Sequence, residues 1–133
     1  MENLNINEQQ PKSPFNQRII ANLAVVASWV DAKTGKRMKV NGVTENVGET
    51  TTLVQLEILP PVGSKVKLKV MQGEEAIIEV PTEVIRVERD PSNPLAALSI
   101  GENVKKWKEV AMTAAENWVS AHWKLNYEEE WVN

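Results

Sequence analysis

The chain has 133 residues, 42% hydrophobic and 25% charged, the composition of a single globular domain able to bury a core without metal or disulfide support. It has no cysteine and one histidine, His122, which excludes disulfide scaffolds, thiolate zinc sites, cysteine nucleophiles and multi-histidine metal centres. A net charge of −3, from 15 basic and 18 acidic residues, argues against a general nucleic-acid binder, which normally carries a basic surplus. No run approaches 18 apolar residues, so no membrane span is expected. The stretch 1–16 lacks a basic start, an apolar core and a small-residue cleavage site, and the expected location is cytoplasmic.

Residues 1–14 are polar, contain Gln-Gln-Pro and Ser-Pro, and read as a flexible leader. From 15 to 125 the pattern is one folded unit. Leu23–Asp31 is rich in β-branched and aromatic residues, Ala32–Lys36 is a glycine-bearing turn, and Arg37–Val47 alternates in part. A turn near Gly48 and Glu49 leads to a strand over Thr50–Ile58. Ser64–Met71 is a period-two strand, with Val66, Leu68 and Val70 on one face and Lys65, Lys67 and Lys69 on the other. Gln72–Glu75 reads as a hairpin loop. Ala76–Glu88 is a further strand interrupted by Pro81, which demands an edge position or a bulge there. Leu95–Ile100 is the last strand. The regular spacing of five or six short strands indicates a small barrel or sandwich.

The period then changes. Trp107, Val110, Ala111, Ala114, Trp118, Ala121 and Leu125 recur every three or four residues, one stripe of an amphipathic helix over about 102–125. Residues 126–133, NYEEEWVN, form an acidic aromatic tail. The fold class is therefore mainly β, an antiparallel β-barrel followed by one long C-terminal amphipathic α-helix.

This order of features resembles the PilZ domain family of six-stranded antiparallel barrels with a C-terminal helix, many of which bind the bacterial messenger cyclic di-GMP. Pro61–Leu68 looks like the family's G-x-x-V-x-L strand entry, Val84–Val87 like its V-V-R-V strand, and Leu95–Ile100 like the strand that follows. The family's ligand motif is R-x-x-x-R before the barrel and D/N-x-S-x-x-G at a strand end. The first part falls on Arg18 and Asn22, the second on Asn46, Gly48 and Thr51. Arg18 and Asn46 are kept, while Asn22, Gly48 and Thr51 replace Arg, Ser and Gly. Paired arginines fork onto phosphates, which Asn22 cannot do. Glu49 adds a negative charge where a bis-phosphate would approach.

The resemblance implies a stand-alone bacterial signalling or adaptor module, not an enzyme, that acts through protein–protein contacts with a degenerate nucleotide site. The alternative is a cyclic di-GMP receptor using Arg18, Asn22, Asn46, Gly48 and Thr51, with Arg86 or Arg89 assisting. No cofactor or metal is implied beyond cyclic di-GMP as a regulatory ligand. Arg86 otherwise reads as half of a cross-strand ion pair. The lysine row reads as a solvated face guarding a strand edge or as an anionic docking face. Trp107 and Trp118 are expected in the core. Trp123 and Trp131 are the candidate partner-binding residues, since tryptophan is enriched at interface hot spots. His122 reads as a polar residue near the helix end, and the helix stripe could also pair with a second copy.

Overall fold

The runs of alternating residues become the walls of a barrel. The computed structural model describes residues 17–132, with side chains through His122; the leader, 1–14, and the side chains of Trp123, Leu125 and Trp131 lie outside the described residues. The strands are β1 (Arg18–Ile19), β2 (Ala24–Val30), β3 (Arg37–Gly48), β4 (Thr51–Leu56), β5 (Lys65–Gln72), β6 (Glu75–Glu88) and β7 (Leu95–Ile100). Every pairing is antiparallel. The barrel closes in the order β2–β3–β4–β7–β6–β5 and back to β2, and the short β1 extends β2 along the same edge of β3. The six-stranded barrel with a C-terminal helix is the architecture the sequence indicates.

Inward residues of each strand meet in one core: Val25, Ala27 and Trp29 from β2, Val54 and Leu56 from β4, and Val66, Leu68 and Val70 from β5 are all buried. The β5–β6 hairpin turns on Gly73 at φ 65°, a conformation open to glycine without steric cost. Pro81 has Lys67 of β5 as its one cross-strand neighbour, because β7 first pairs at Thr82. It occupies the free-edge position that its missing N–H requires.

Gly42 marks the tightest crossing. A Cβ there would lie 2.3 Å from the Gln55 carbonyl oxygen and 2.6 Å from a Leu56 methyl. Beside it, the break between β1 and β2 is bridged by a buried hydroxyl. Thr44 Oγ1 accepts from the Leu23 amide at 2.8 Å and donates to the Ala21 carbonyl at 2.5 Å. One side chain thus satisfies two backbone groups that the ladder leaves unpaired.

The helical segment comprises α1 (Val104–Trp107), a π-helical turn (Lys108–Met112) and α2 (Thr113–Val132). Among the described residues, no helix is long and apolar enough to cross a membrane. Asn103 precedes the segment in the left-handed region at φ 67°, which asparagine tolerates better than most residues. The buried helical residues are Trp107, Ala111, Met112 and Ala115, with Val110, Ala114 and Trp118 packed against the core. The expected stripe is corrected at three positions: Met112 and Ala115 join it, and Ala121 is exposed. A π turn inserts one residue and rotates the later helical turns by about 100°. His122 is also reassigned. It lies midway along α2, stacked on Trp118 with ring centroids 3.8 Å apart, and its Nδ1–H donates to the Trp118 carbonyl at 2.8 Å.

Thr44→Val keeps the shape and removes the bridge. It should cost roughly 1–3 kcal/mol through the two orphaned backbone groups; denaturant melts of the variant check this. Gly42→Ala should lower stability by at least a similar amount, roughly 1–3 kcal/mol of overpacking, and a melt unchanged from the parent would contradict the crossing.

Candidate functional site

β1 lies across the end of β3, so that Arg18 stands opposite Gly48 and Ile19 opposite Val47. A bulge between Thr44 and Asn46 shifts the β3–β4 register, and such bulges re-aim side chains. The Asn46 carbonyl is fixed by the Thr52 hydroxyl at 2.7 Å. The Asn46 side chain then meets Arg18: Nη1 donates to Oδ1 at 2.5 Å, while Nη2 donates to the Thr51 hydroxyl. Four of the five motif positions, Arg18, Asn46, Gly48 and Thr51, therefore converge, although β1 and the β3–β4 turn are far apart in sequence.

The fifth does not join them. Asn22 donates through Nδ2 to the Thr44 carbonyl at 2.9 Å, so it fastens the β1–β2 break instead of facing Arg18's partners. Arg86 is likewise elsewhere. It sits opposite Ala97 in the sheet, and its guanidinium meets Glu88 of its own strand at 3.3 Å, a same-strand pair instead of the expected cross-strand one. Glu49, at the edge of the cluster, has a cation nearby: Lys108 Nζ lies 3.9 Å from its carboxylate.

Gly48 ties the cluster to the helix. Its carbonyl accepts the buried indole N–H of Trp107 at 2.9 Å. A Cβ at this position would lie 2.9 Å from the Thr51 carbonyl oxygen and 3.1 Å from Arg18 Nη1. Glycine is thus imposed by close approach, and the family's serine would collide with the backbone here. Sequence reasoning found the Trp107 core position but not this bond, because no local pattern reports a partner so distant along the chain. The π turn and the Glu49–Lys108 pair were equally silent.

Chemically, the cluster is an arginine whose two terminal nitrogens each donate one hydrogen bond to a neutral oxygen. A phosphate seeking those same two N–H groups would have to displace Asn46 and Thr51, and three of the guanidinium's five N–H donors remain. Among the described residues, no group of three or more His, Asp or Glu is placed to hold a metal ion.

No protein-family model matches the chain, and no curated protein matches it by sequence. Solved structures match it in shape. The PilZ domain of YcgR from Escherichia coli, described with c-di-GMP, aligns with a TM-score of 0.60 at 13% identity, over 86% of this chain and 98% of that one. The PilZ domain of CeSA from a cellulose-synthesizing bacterium aligns at 0.52 and 18% identity, over 74% and 98%. The Bacillus subtilis inhibitor of motility, MotI/DgrA, aligns at 0.52 and 17% identity, over 92% of this chain and 57% of that one. These likenesses show that the chain has the PilZ fold.

Gly48→Ala should destabilise the protein by roughly 1–3 kcal/mol through forced displacement. Gly101→Ala, where a Cβ would meet nothing within 4 Å, serves as its control and should stay within about 0.5 kcal/mol of the parent. Equal melting of the two variants would contradict the Gly48 assignment.

Proposed function

We propose that the protein is a PilZ-like bacterial signalling or adaptor module, cytoplasmic and without enzymatic activity or a resident cofactor, that works by binding another protein. In this reading the dinucleotide site is degenerate. The observation that carries it is that both terminal nitrogens of Arg18 already donate to the protein's own Asn46 and Thr51. The second motif arginine is replaced by Asn22, whose amide is committed to the backbone. A charge-assisted contact contributes about 1.5–3 kcal/mol, so the loss of the second arginine alone lowers dinucleotide affinity by roughly 10- to 150-fold.

The convergence of Arg18, Asn46, Gly48 and Thr51 favours a second reading, a cyclic di-GMP receptor with a divergent site. The two separate by titration. Isothermal calorimetry with cyclic di-GMP to about 100 μM should give no binding heat, and the melting temperature should not move. Binding at micromolar strength or tighter would establish the receptor instead. Asn22→Arg with Thr51→Gly should then be the pair that gains affinity. Adding Gly48→Ser should forfeit the gain, because the serine Cβ strikes the Thr51 carbonyl.

A further inference from the structure

The seam between β2 and β5 closes only in part. β2 and β5 pair from Val25 opposite Val70 to Ser28 opposite Lys67, and there the pairing stops. β2 continues through Trp29 and Val30, held by β3, while β5 begins at Lys65, held by β6. The next two pairs of the register, Trp29 with Val66 and Val30 with Lys65, are missing. Beyond the last pair lies a cavity of about 820 Å³, lined by residues of β2, β3, β5 and β6. Its inner wall is apolar, formed by the buried Trp29 and Val66 and the half-buried Met38. Val30 at its lip is 56% exposed.

The rim is cationic. Arg37, Lys39, Lys65, Lys67 and Lys69 line the cavity against a single carboxylate, Glu79, in a chain whose net charge is −3. Arg37 and Lys39 make no ion pair among the described residues. Lys65 pairs with Glu83 at 3.0 Å, and Lys67 and Lys69 share Glu79 at 3.5 and 3.9 Å. These are surface pairs that contribute little, so an incoming carboxylate can replace them. The cluster at Arg18 is elsewhere, at the β3–β4 turn.

We infer that this open seam takes up an extended acidic segment of a partner protein, laid in the groove beyond the last β2–β5 pair. The main-chain groups of Trp29, Val30, Lys65 and Val66, which have no partner across the seam, can hydrogen-bond to such a segment, and the alternation of its side chains supplies the rest. Its apolar side chains would point inward onto Trp29, Met38 and Val66, and its carboxylates outward to the cations. A nucleic acid fits less well. The sole aromatic residue of the cavity is buried on the inner wall instead of being offered for stacking, and the charge is carried by four lysines and one arginine, with few forks for phosphate. The inference deepens the protein-binding part of the proposed function, and its test does not involve the dinucleotide.

The test is fluorescence anisotropy of the full chain with a labelled peptide, Glu-Val-Glu-Leu-Glu-Val-Glu. Saturable binding that weakens with salt is expected, with loss when the glutamates are replaced by lysines or the central leucine by proline. Arg37→Glu with Lys39→Glu, at exposed positions, should weaken binding about tenfold with an unchanged melt. Peptide-induced amide shifts at Val30 and Lys65 would locate the contact independently of any variant. No saturation by about 1 mM peptide, or equal binding of the proline peptide, would overturn the inference and leave the lysines as guards of a strand edge. Binding of single-stranded DNA or anionic vesicles in place of the peptide would overturn it too. So would self-association of the chain that Arg37→Glu with Lys39→Glu abolishes, which would assign the seam to a second copy.

Discussion

Three parts of the chain meet at one residue without a side chain. Gly48 pairs with Arg18 of β1, ends β3, and offers its carbonyl to Trp107 at the start of the helical segment. Trp107 is fully buried. Burying an indole of roughly 200 Å² supplies up to about 5 kcal/mol at 25 cal/mol per Å², an upper bound set by an extended unfolded chain. The indole N–H would oppose that burial without an acceptor; the Gly48 carbonyl provides one. Helix docking and strand-end geometry are thereby a single arrangement.

The arrangement of the motif residues follows from that constraint. With no Cβ at position 48, β1 and the Thr51 backbone approach closely enough for the Arg18 guanidinium to reach Asn46 and Thr51. Both terminal nitrogens then donate to the protein's own oxygens. The fold thus places four of the five motif positions together, while the residue types at two of them, Gly48 and Thr51, change what the cluster favours. The helical segment also contacts β3 and β6, which covers the end of the barrel nearest the cluster. Among the described residues, the β2–β5 seam has no such cover.

Much of this architecture was legible because strand alternation is local. Val66, Leu68 and Val70 against Lys65, Lys67 and Lys69 announce an inner and an outer face, and Pro81 announces a free edge. The helix was legible from its period, but its buried face was not fully so, because the π turn over Lys108–Met112 breaks the regular geometry on which period counting rests. The motif positions were legible by resemblance, whereas their interactions were not. Whether Asn22 turns to Arg18 or to Thr44 is decided by the break between β1 and β2, and that both terminal nitrogens of Arg18 are engaged is decided by a β-bulge. The open seam is a property of register between two strands well separated in sequence, and no single segment carries it.

The claim on which the rest depends is that the Arg18 fork is held by Asn46 and Thr51 in the free protein. Nitrogen-detected NMR of the arginine side chains measures this directly. A guanidinium held at both nitrogens rotates slowly, so Arg18 should show separate Nη resonances that merge in a Thr51→Ala variant. A single averaged Nη resonance for Arg18 in the parent protein, like that of a solvated arginine, would contradict the account and return the fork to an incoming phosphate.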